Sequence, residues 1–293
     1  MSISVNPAAQ PGQPTATKPE GGLTIWISID MEGLAGLVNW EQDHGTREME
    51  FRRIMTGEAN AAAAGAKAAG ATRILVNDSH DNMFNLIQEE LDPDIELISG
   101  SLKPLSMVEG IDQHVDGAFF LGYHAAAGTP LATMDHTYSN VSVSEVRING
   151  RRVGETGLNA GVCGYYGVPV LLVAGDRAVC EEARALLGPE LTTVTTKEAV
   201  SRFAARLRHP ARVRAALQEA AAVAVRNRQR VPVFQFPTPV RFEVDFKDPA
   251  MADAALLVPF TQRLGGRTVA YEDNDYVRGF RAVRAMISLA SHY

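Results

Sequence analysis

The sequence predicts an α/β protein: a largely parallel sheet flanked by helices, with a smaller α+β C-terminal part. Three observations carry that reading. Short apolar runs alternate with alanine-rich or amphipathic segments from residue 23 to about 197, the spacing of strand–helix–strand units. Beyond 197 the segments become more charged, and residues 231–239 hold three prolines before further strand-like runs. The final stretch, from Tyr276 on, repeats its apolar residues at helical spacing. The expected organisation is a flexible N-terminal extension (1–22), an α/β metal-binding catalytic domain (23–197) and the smaller part (198–293).

Taken in order, residues 1–22 contain four prolines (Pro7, Pro11, Pro14, Pro19) among small polar residues, a composition that buries too little apolar surface to offset ordering. Residues 24–30 form an apolar run, hence a buried strand. The alanine-rich segment 47–69 reads as a helix despite Gly57 and Gly65, and 73–77 as the next strand, ended by Asp78-Ser79. Segments 95–99 and 117–121 are short strands, each followed by glycine. Residues 143–148 and 151–153 flank Asn149-Gly150, a pair suited to a tight hairpin turn with two positive φ angles. A helix over 157–166, a strand over 168–174 and a helix capped by Asp176 follow. Residues 199–207 and 211–227 are expected as helices, 231–239 as a linker, and 240–246 and 267–271 as strands with a helix between. In the last helix, Tyr276, Phe280, Val283, Ile287 and Ala290 form the core face.

Composition narrows the function. The 293 residues hold 28 Lys+Arg against 34 Asp+Glu, a net charge of −6, which argues against a sequence-independent nucleic-acid binder with its basic face. No apolar run approaches the roughly 18 residues that would span a membrane. No basic segment followed by an apolar core opens the chain, so no secretory signal is expected. Cys163 and Cys180 are too few for a disulfide framework or a cysteine-based zinc site, and read as buried thiols in a reducing, cytoplasmic protein.

Five segments that can carry chemistry lie between residues 28 and 157, each at a strand end or in the loop that follows. In Ser28-Ile29-Asp30-Met31-Glu32-Gly33, residues two apart in extended chain point the same way, so Asp30 and Glu32 present two carboxylates together. Close carboxylates repel unless a cation or shared proton relieves them. His80 ends Val76-Asn77-Asp78-Ser79-His80, and His124 ends Leu121-Gly122-Tyr123-His124. His136 sits in Thr133-Met134-Asp135-His136-Thr137, and Glu155 lies between Gly154 and Thr156 at a helix start. Each alone also reads as a satisfied loop residue or a helix-dipole partner. Together they fall where doubly wound sheets bind ligands, outside the carboxyl ends of the strands. Histidine with carboxylate and no cysteine suits a catalytic zinc site. Three carboxylates and two histidines, with His136 spare, exceed the needs of one tetrahedral ion keeping a water. They match two ions, about 3.5–4 Å apart, bridged by one carboxylate.

The Ser28-x-Asp30-x-Glu32-Gly33 hexapeptide resembles the signature of the DppA-type D-aminopeptidases, a family of zinc metallopeptidases. The likeness extends to Val76-Asn77-Asp78-Ser79-His80, to Lys103-Pro104-Leu105-Ser106-Met107-Val108-Glu109-Gly110, to Leu121-Gly122-Tyr123-His124 and to Gly154-Glu155-Thr156-Gly157-Leu158-Asn159. It is strong to about residue 176 and looser after 197. The resemblance implies that Asp30, Glu32, His80, His124 and Glu155 hold two zinc ions with Asp30 bridging, and that His136 is the catalytic histidine. It also implies a ring-like homodecamer whose active sites face an internal channel. Two features depart from the family pattern: the N-terminal extension is longer, and Asp135 stands beside His136 where the family carries a small polar residue. Asp135 is expected to affect His136 or the substrate amine.

The function so implied is zinc-dependent hydrolysis of an N-terminal residue, a D-amino acid such as D-Ala, from short peptides or amino-acid amides by a metal-activated water. No Gly-x-Ser-x-Gly or P-loop motif competes. A dinuclear metal phosphoesterase would use similar ligands but needs basic residues at the metals, for which Arg47, Arg52, Arg53 and Lys103 are the candidates. A non-enzymatic metal- or amino-acid-binding assembly is the third reading.

Overall fold

The computed structural model describes residues 22–45 and 47–293. The expected N-terminal extension therefore lies outside the described residues, save for Gly22. From β1 (Leu23–Ile29) the chain passes through a short helix α1 (Trp40–Asp43) into α2 (Glu48–Ala68), then β2 (Ala71–Asp78), β3 (Ile95–Ile98) and β4 (Gly117–Tyr123). The hairpin of β5 (Val143–Ile148) and β6 (Arg151–Val153) leads into α3 (Glu155–Tyr165), β7 (Val170–Asp176) and α4 (Arg177–Leu187). Next come β8 (Thr192–Ser201), β9 (Ala204–Leu207), α5 (Pro210–Arg226), β10 (Val240–Phe246) and α6 (Pro249–Ala255). The strands β11 (Gln262–Arg263) and β12 (Thr268–Asp273) precede the last helix, α7 (Tyr276–Ala290).

Two sheets result. Seven strands lie in the order β3-β2-β1-β4-β7-β8-β9, parallel except for the β8–β9 pair, and five lie antiparallel in the order β11-β12-β10-β5-β6. β1 is an interior strand, and its side chains alternate as strand geometry requires. Ile25, Ile27 and Ile29 pack with Phe51 and Met55 of α2 and Val213 and Leu217 of α5, whereas Trp26 packs with Phe120 in the core toward the second sheet. Burying such a side chain is worth about 2 kcal/mol, so this strand is held from both faces. β2 and β3 extend to one side of β1 and β4 starts the other side. That topological switch opens a crevice at the carboxyl ends of β1, β2 and β4.

Several expected elements are present with small shifts at their ends. Asn149 and Gly150 both have positive φ (51° and 77°) in the β5–β6 turn. The Asp176 side chain accepts from Val179 N–H and caps α4. Tyr276, Phe280, Val283, Ile287 and Ala290 are buried on α7. Both cysteines are buried and unpaired, and burial raises each thiol, Cys180 to about 11. The helix expected over 199–207 is instead the β8–β9 hairpin. Val200, Phe203 and Leu207 are exposed there, so no buried stripe exists to hold a helix, while pairing between β8 and β9 satisfies the backbone. The division expected at residue 197 falls inside β8. β9 completes the first sheet, α5 packs on α2 against that sheet, and the β5–β6 hairpin from the earlier half pairs with β10 in the second. No helix among the described residues is long and apolar enough to cross a membrane.

Candidate active site

Asp30 and Glu32 follow β1, His80 follows β2, His124 follows β4, His136 lies in the β4–β5 loop and Glu155 opens α3. The strand ends approach closely because two glycines permit it. A Cβ on Gly33 would stand 1.9 Å from the Tyr123 carbonyl oxygen, and one on Gly122 (φ +66°) 2.0 Å from that of Asp30. Main-chain bonds from Asp30 N–H to Leu121 O (2.8 Å) and from Gly33 N–H to Gly122 O (2.7 Å) lock the approach. The Asp30 and His124 side chains are thereby delivered to one spot.

A buried polar chain ties the remaining motifs together. Ser28 Oγ lies 2.8 Å from both Ser79 Oγ and Tyr123 OH; Asn159 donates to Tyr123 OH (2.8 Å), and Tyr138 OH donates to Asn159 Oδ1 (2.7 Å). Asp78 accepts from the main-chain N–H of Asn85 and Leu86, which fixes the loop carrying His80. Lys103 donates to Asn77 Oδ1 and Asp78 O at the end of β2, and burial lowers its ammonium to about 8. Lys197, fully buried and lowered to about 8 by burial, donates to the carbonyls of Glu32, Leu34 and Leu37 and braces the loop after β1.

All six expected residues meet: five line one cavity, and His124 packs behind them against Asp30, Glu155 and His136. His80 Nδ1 lies 3.2 Å from Asp30 Oδ1 and 3.0 Å from Glu32 Oε2. His124 Nε2 lies 3.5 Å from Asp30 Oδ2 and 3.2 Å from Glu155 Oε2. The two oxygens of one carboxylate thus face two different imidazoles. His136 Nδ1 is placed to donate to Met134 O (2.9 Å), turning Nε2 toward Glu32 Oε1 (3.8 Å) and Glu155 Oε1 (3.7 Å), and its ring stacks on His124 at 4.0 Å. The cavity, about 280 Å³, is lined by Asp30, Glu32, His80, His136 and Glu155 and also by Trp40, Tyr138 and Arg284.

The electrostatics call for cations. Burial raises the Asp30 carboxyl, and the neighbouring Glu32 charge raises it further. Burial opposes ionisation of Glu32 too, yet His80 beside it holds this carboxyl well below the usual range. Burial likewise disfavours charged imidazoles, but Glu32, Asp30 and Asp43 push His80 well above its ordinary value, and Glu155 and Asp30 do so for His124. A buried cluster that draws protons onto its histidines is short of positive charge. Moreover, the buried Nε2 of His124 has no hydrogen-bond partner despite its near neighbours. Orphaned buried imidazole nitrogens among carboxylates are the donor set a zinc ion takes. Asp30–Glu32–His80 and His124–His136–Glu155 each bring ligand atoms within 4.8 Å of one another.

Two features were invisible in the sequence. Asp43, on α1, places Oδ2 3.3 Å from His80 Nε2, the nitrogen opposite the one facing Asp30 and Glu32, and both Asp43 oxygens are buried without hydrogen-bond partners. A carboxylate behind a metal-binding histidine orients the ring and raises its basicity. Asp43→Asn is therefore expected to weaken zinc binding about 10- to 100-fold; a competitive chelator titration giving wild-type affinity would contradict it. Trp40 Nε1 donates to Glu32 Oε1 (3.0 Å), and its ring meets His136 edge-on at 5.7 Å.

Asp135 does not approach the His136 imidazole as expected from its place in sequence. Its carboxylate accepts from Arg202 Nε (2.9 Å) and Gly128 N–H (2.6 Å), because the chain turns at Met134 (φ 51°) and sends the two side chains apart. The cations proposed for phosphate binding are also engaged elsewhere: Arg47 with Glu50, Arg52 with Glu48, Arg53 with Glu90, and Lys103 under β2.

Comparison with known proteins gives one family. A family model described as D-aminopeptidase matches residues 23–285. The chain is 42% identical over 271 residues to a D-aminopeptidase of Bacillus subtilis (strain 168), spanning 92% of this chain and 98% of that protein. Among solved structures it resembles the Zn-dependent D-aminopeptidase DppA from Bacillus subtilis, described as a self-compartmentalizing protease. The TM-score is 0.89 at 40% identity, covering 92% of this chain and 99% of that one.

Proposed function

The chain belongs to the D-aminopeptidase family of peptidases, and from that premise we propose that it releases an N-terminal D-amino acid such as D-Ala from short peptides using two zinc ions. The observation that carries the reading is the Asp30 carboxylate, whose two oxygens face His80 and His124 separately. Asp30, Glu32 and His80 would hold one ion and Asp30, His124 and Glu155 the other. Zinc there supplies Lewis acidity, polarising a carbonyl and lowering the pKa of water toward about 7.

The protein's own groups do the rest. His136 sits farther from the carboxylates than the other imidazoles do and between residues of both half-sites, so its Nε2 faces the place where a scissile carbonyl would lie. From there it donates a hydrogen bond to the developing oxyanion or passes a proton to the departing amine. With Nδ1–H donating to the Met134 carbonyl, Nε2 of the neutral ring first takes a proton from the attacking water and then gives it to the oxyanion or the departing amine. Trp40 holds Glu32 and shields His136 from water. Buried free thiols support a cytoplasmic location.

We further propose a closed homo-oligomer, a decamer by family likeness. Light scattering should give ten times the 31.6 kDa chain mass; a monomer would contradict it. Activity is tested with D-alanyl and L-alanyl dipeptides and p-nitrophenyl phosphate, each with and without chelator. Chelator-sensitive cleavage confined to the D-alanyl peptide is expected. Phosphate release without peptide cleavage would favour the phosphoesterase instead.

A further inference from the structure

Arg284 of α7 lines the same cavity but has no place in the zinc chemistry. Its guanidinium makes no hydrogen bond or ion pair among the described residues. Its one close partner is the face of the Tyr138 ring, 4.0 Å from the guanidinium carbon. A cation stacked on a ring leaves its in-plane N–H donors free. Arginine stays charged in proteins, and the idle donors of this half-buried guanidinium open onto the cavity, where they can take an anionic ligand in place of water. The other charged or titratable residues of the wall, Asp30, Glu32, Asp81, Glu155 and the histidines His44, His80 and His136, include no second lysine or arginine.

We infer that Arg284 anchors the free C-terminal carboxylate of a dipeptide substrate, an inference resting on the aminopeptidase reading of this site. Guanidinium and carboxylate match as a planar, two-pronged pair. The acidic remainder of the wall repels a carboxylate, so a short peptide has one favourable orientation, amine toward the acids and carboxylate toward Arg284. Size supports a short substrate: the cavity, about 280 Å³, falls just below the roughly 300–1,000 Å³ of pockets that hold drug-sized ligands. Tyr138 carries Arg284 on its ring while its main-chain N–H donates to Glu155 Oε1 (2.6 Å), so one residue bears on both the guanidinium and the carboxylate cluster. Arg284 is thus a specificity determinant that favours dipeptides with a free carboxylate over amides.

The test compares D-alanyl-D-alanine with D-alanyl-D-alaninamide, which differ only in that carboxylate, on zinc-loaded wild-type protein and on Arg284→Gln and Arg284→Lys. The ratio of kcat/KM values, free acid over amide, should fall about 10- to 100-fold in Arg284→Gln, chiefly through KM for the free acid, as expected for a lost charge-assisted pair. Arg284→Lys should recover part of it. An unchanged ratio, or a wild-type protein without preference for the free acid, overturns the inference; equal losses on both substrates assign Arg284 a structural role and overturn it too. If wild-type protein cleaves neither substrate, the aminopeptidase reading itself fails. Calorimetry with the uncleavable CH2–NH analogues of the two then decides Arg284 alone: tighter binding of the acid that vanishes in Arg284→Gln sustains it, and equal binding refutes it.

Discussion

Asp30→Ala is expected to abolish binding of both zinc ions and lower peptide hydrolysis about 10⁴-fold or more. Asp30 is the one side chain facing both histidine arms, so its loss removes a donor from each half-site at once. Each ion contributes several kcal/mol of charge stabilisation, and every 1.36 kcal/mol is tenfold in rate. Glu32→Ala removes a donor from one half only and should mainly weaken one ion. Metal analysis and turnover on the same preparations check this, and an Asp30→Ala protein retaining two zinc ions or full activity would refute it.

His136→Ala is expected to keep near-normal zinc while losing about 10²- to 10⁴-fold in turnover, the range for removing a general acid–base or oxyanion group. His80 and His124 stand 3.0–3.5 Å from their carboxylates, whereas His136 Nε2 is 3.7 and 3.8 Å from residues of opposite half-sites. Loss of zinc would reassign it as a ligand, which its grouping with His124 and Glu155 permits geometrically; unchanged turnover would leave it ordering the loop.

The convergence of the five segments was legible because each motif ends a strand of one parallel sheet, and strand ends are where such sheets gather function. The glycines beside the acids and histidines were part of that signal: Gly33 and Gly122 permit the contact that brings β1 to β4. What stayed hidden comes from elements that carry no motif. Asp43 lies on a four-residue helix, and Arg284 arrives 129 residues after Glu155 on a helix read only as a core face. Local pattern carries no information about which long-range neighbours a lone acid or arginine meets. The misread 199–207 hairpin has the same cause, since pairing between β8 and β9 outweighs the propensity of its alanines.

A two-zinc centre built on Asp30 is what the mechanism depends on. A crystal of the zinc-loaded protein, with data collected on both sides of the zinc absorption edge, addresses it most directly. Two anomalous peaks are expected, one on each side of the Asp30 carboxylate, the first against Glu32 and His80 and the second against His124 and Glu155. A single peak, or density placed instead at Asp43, His44 and His80, would contradict it.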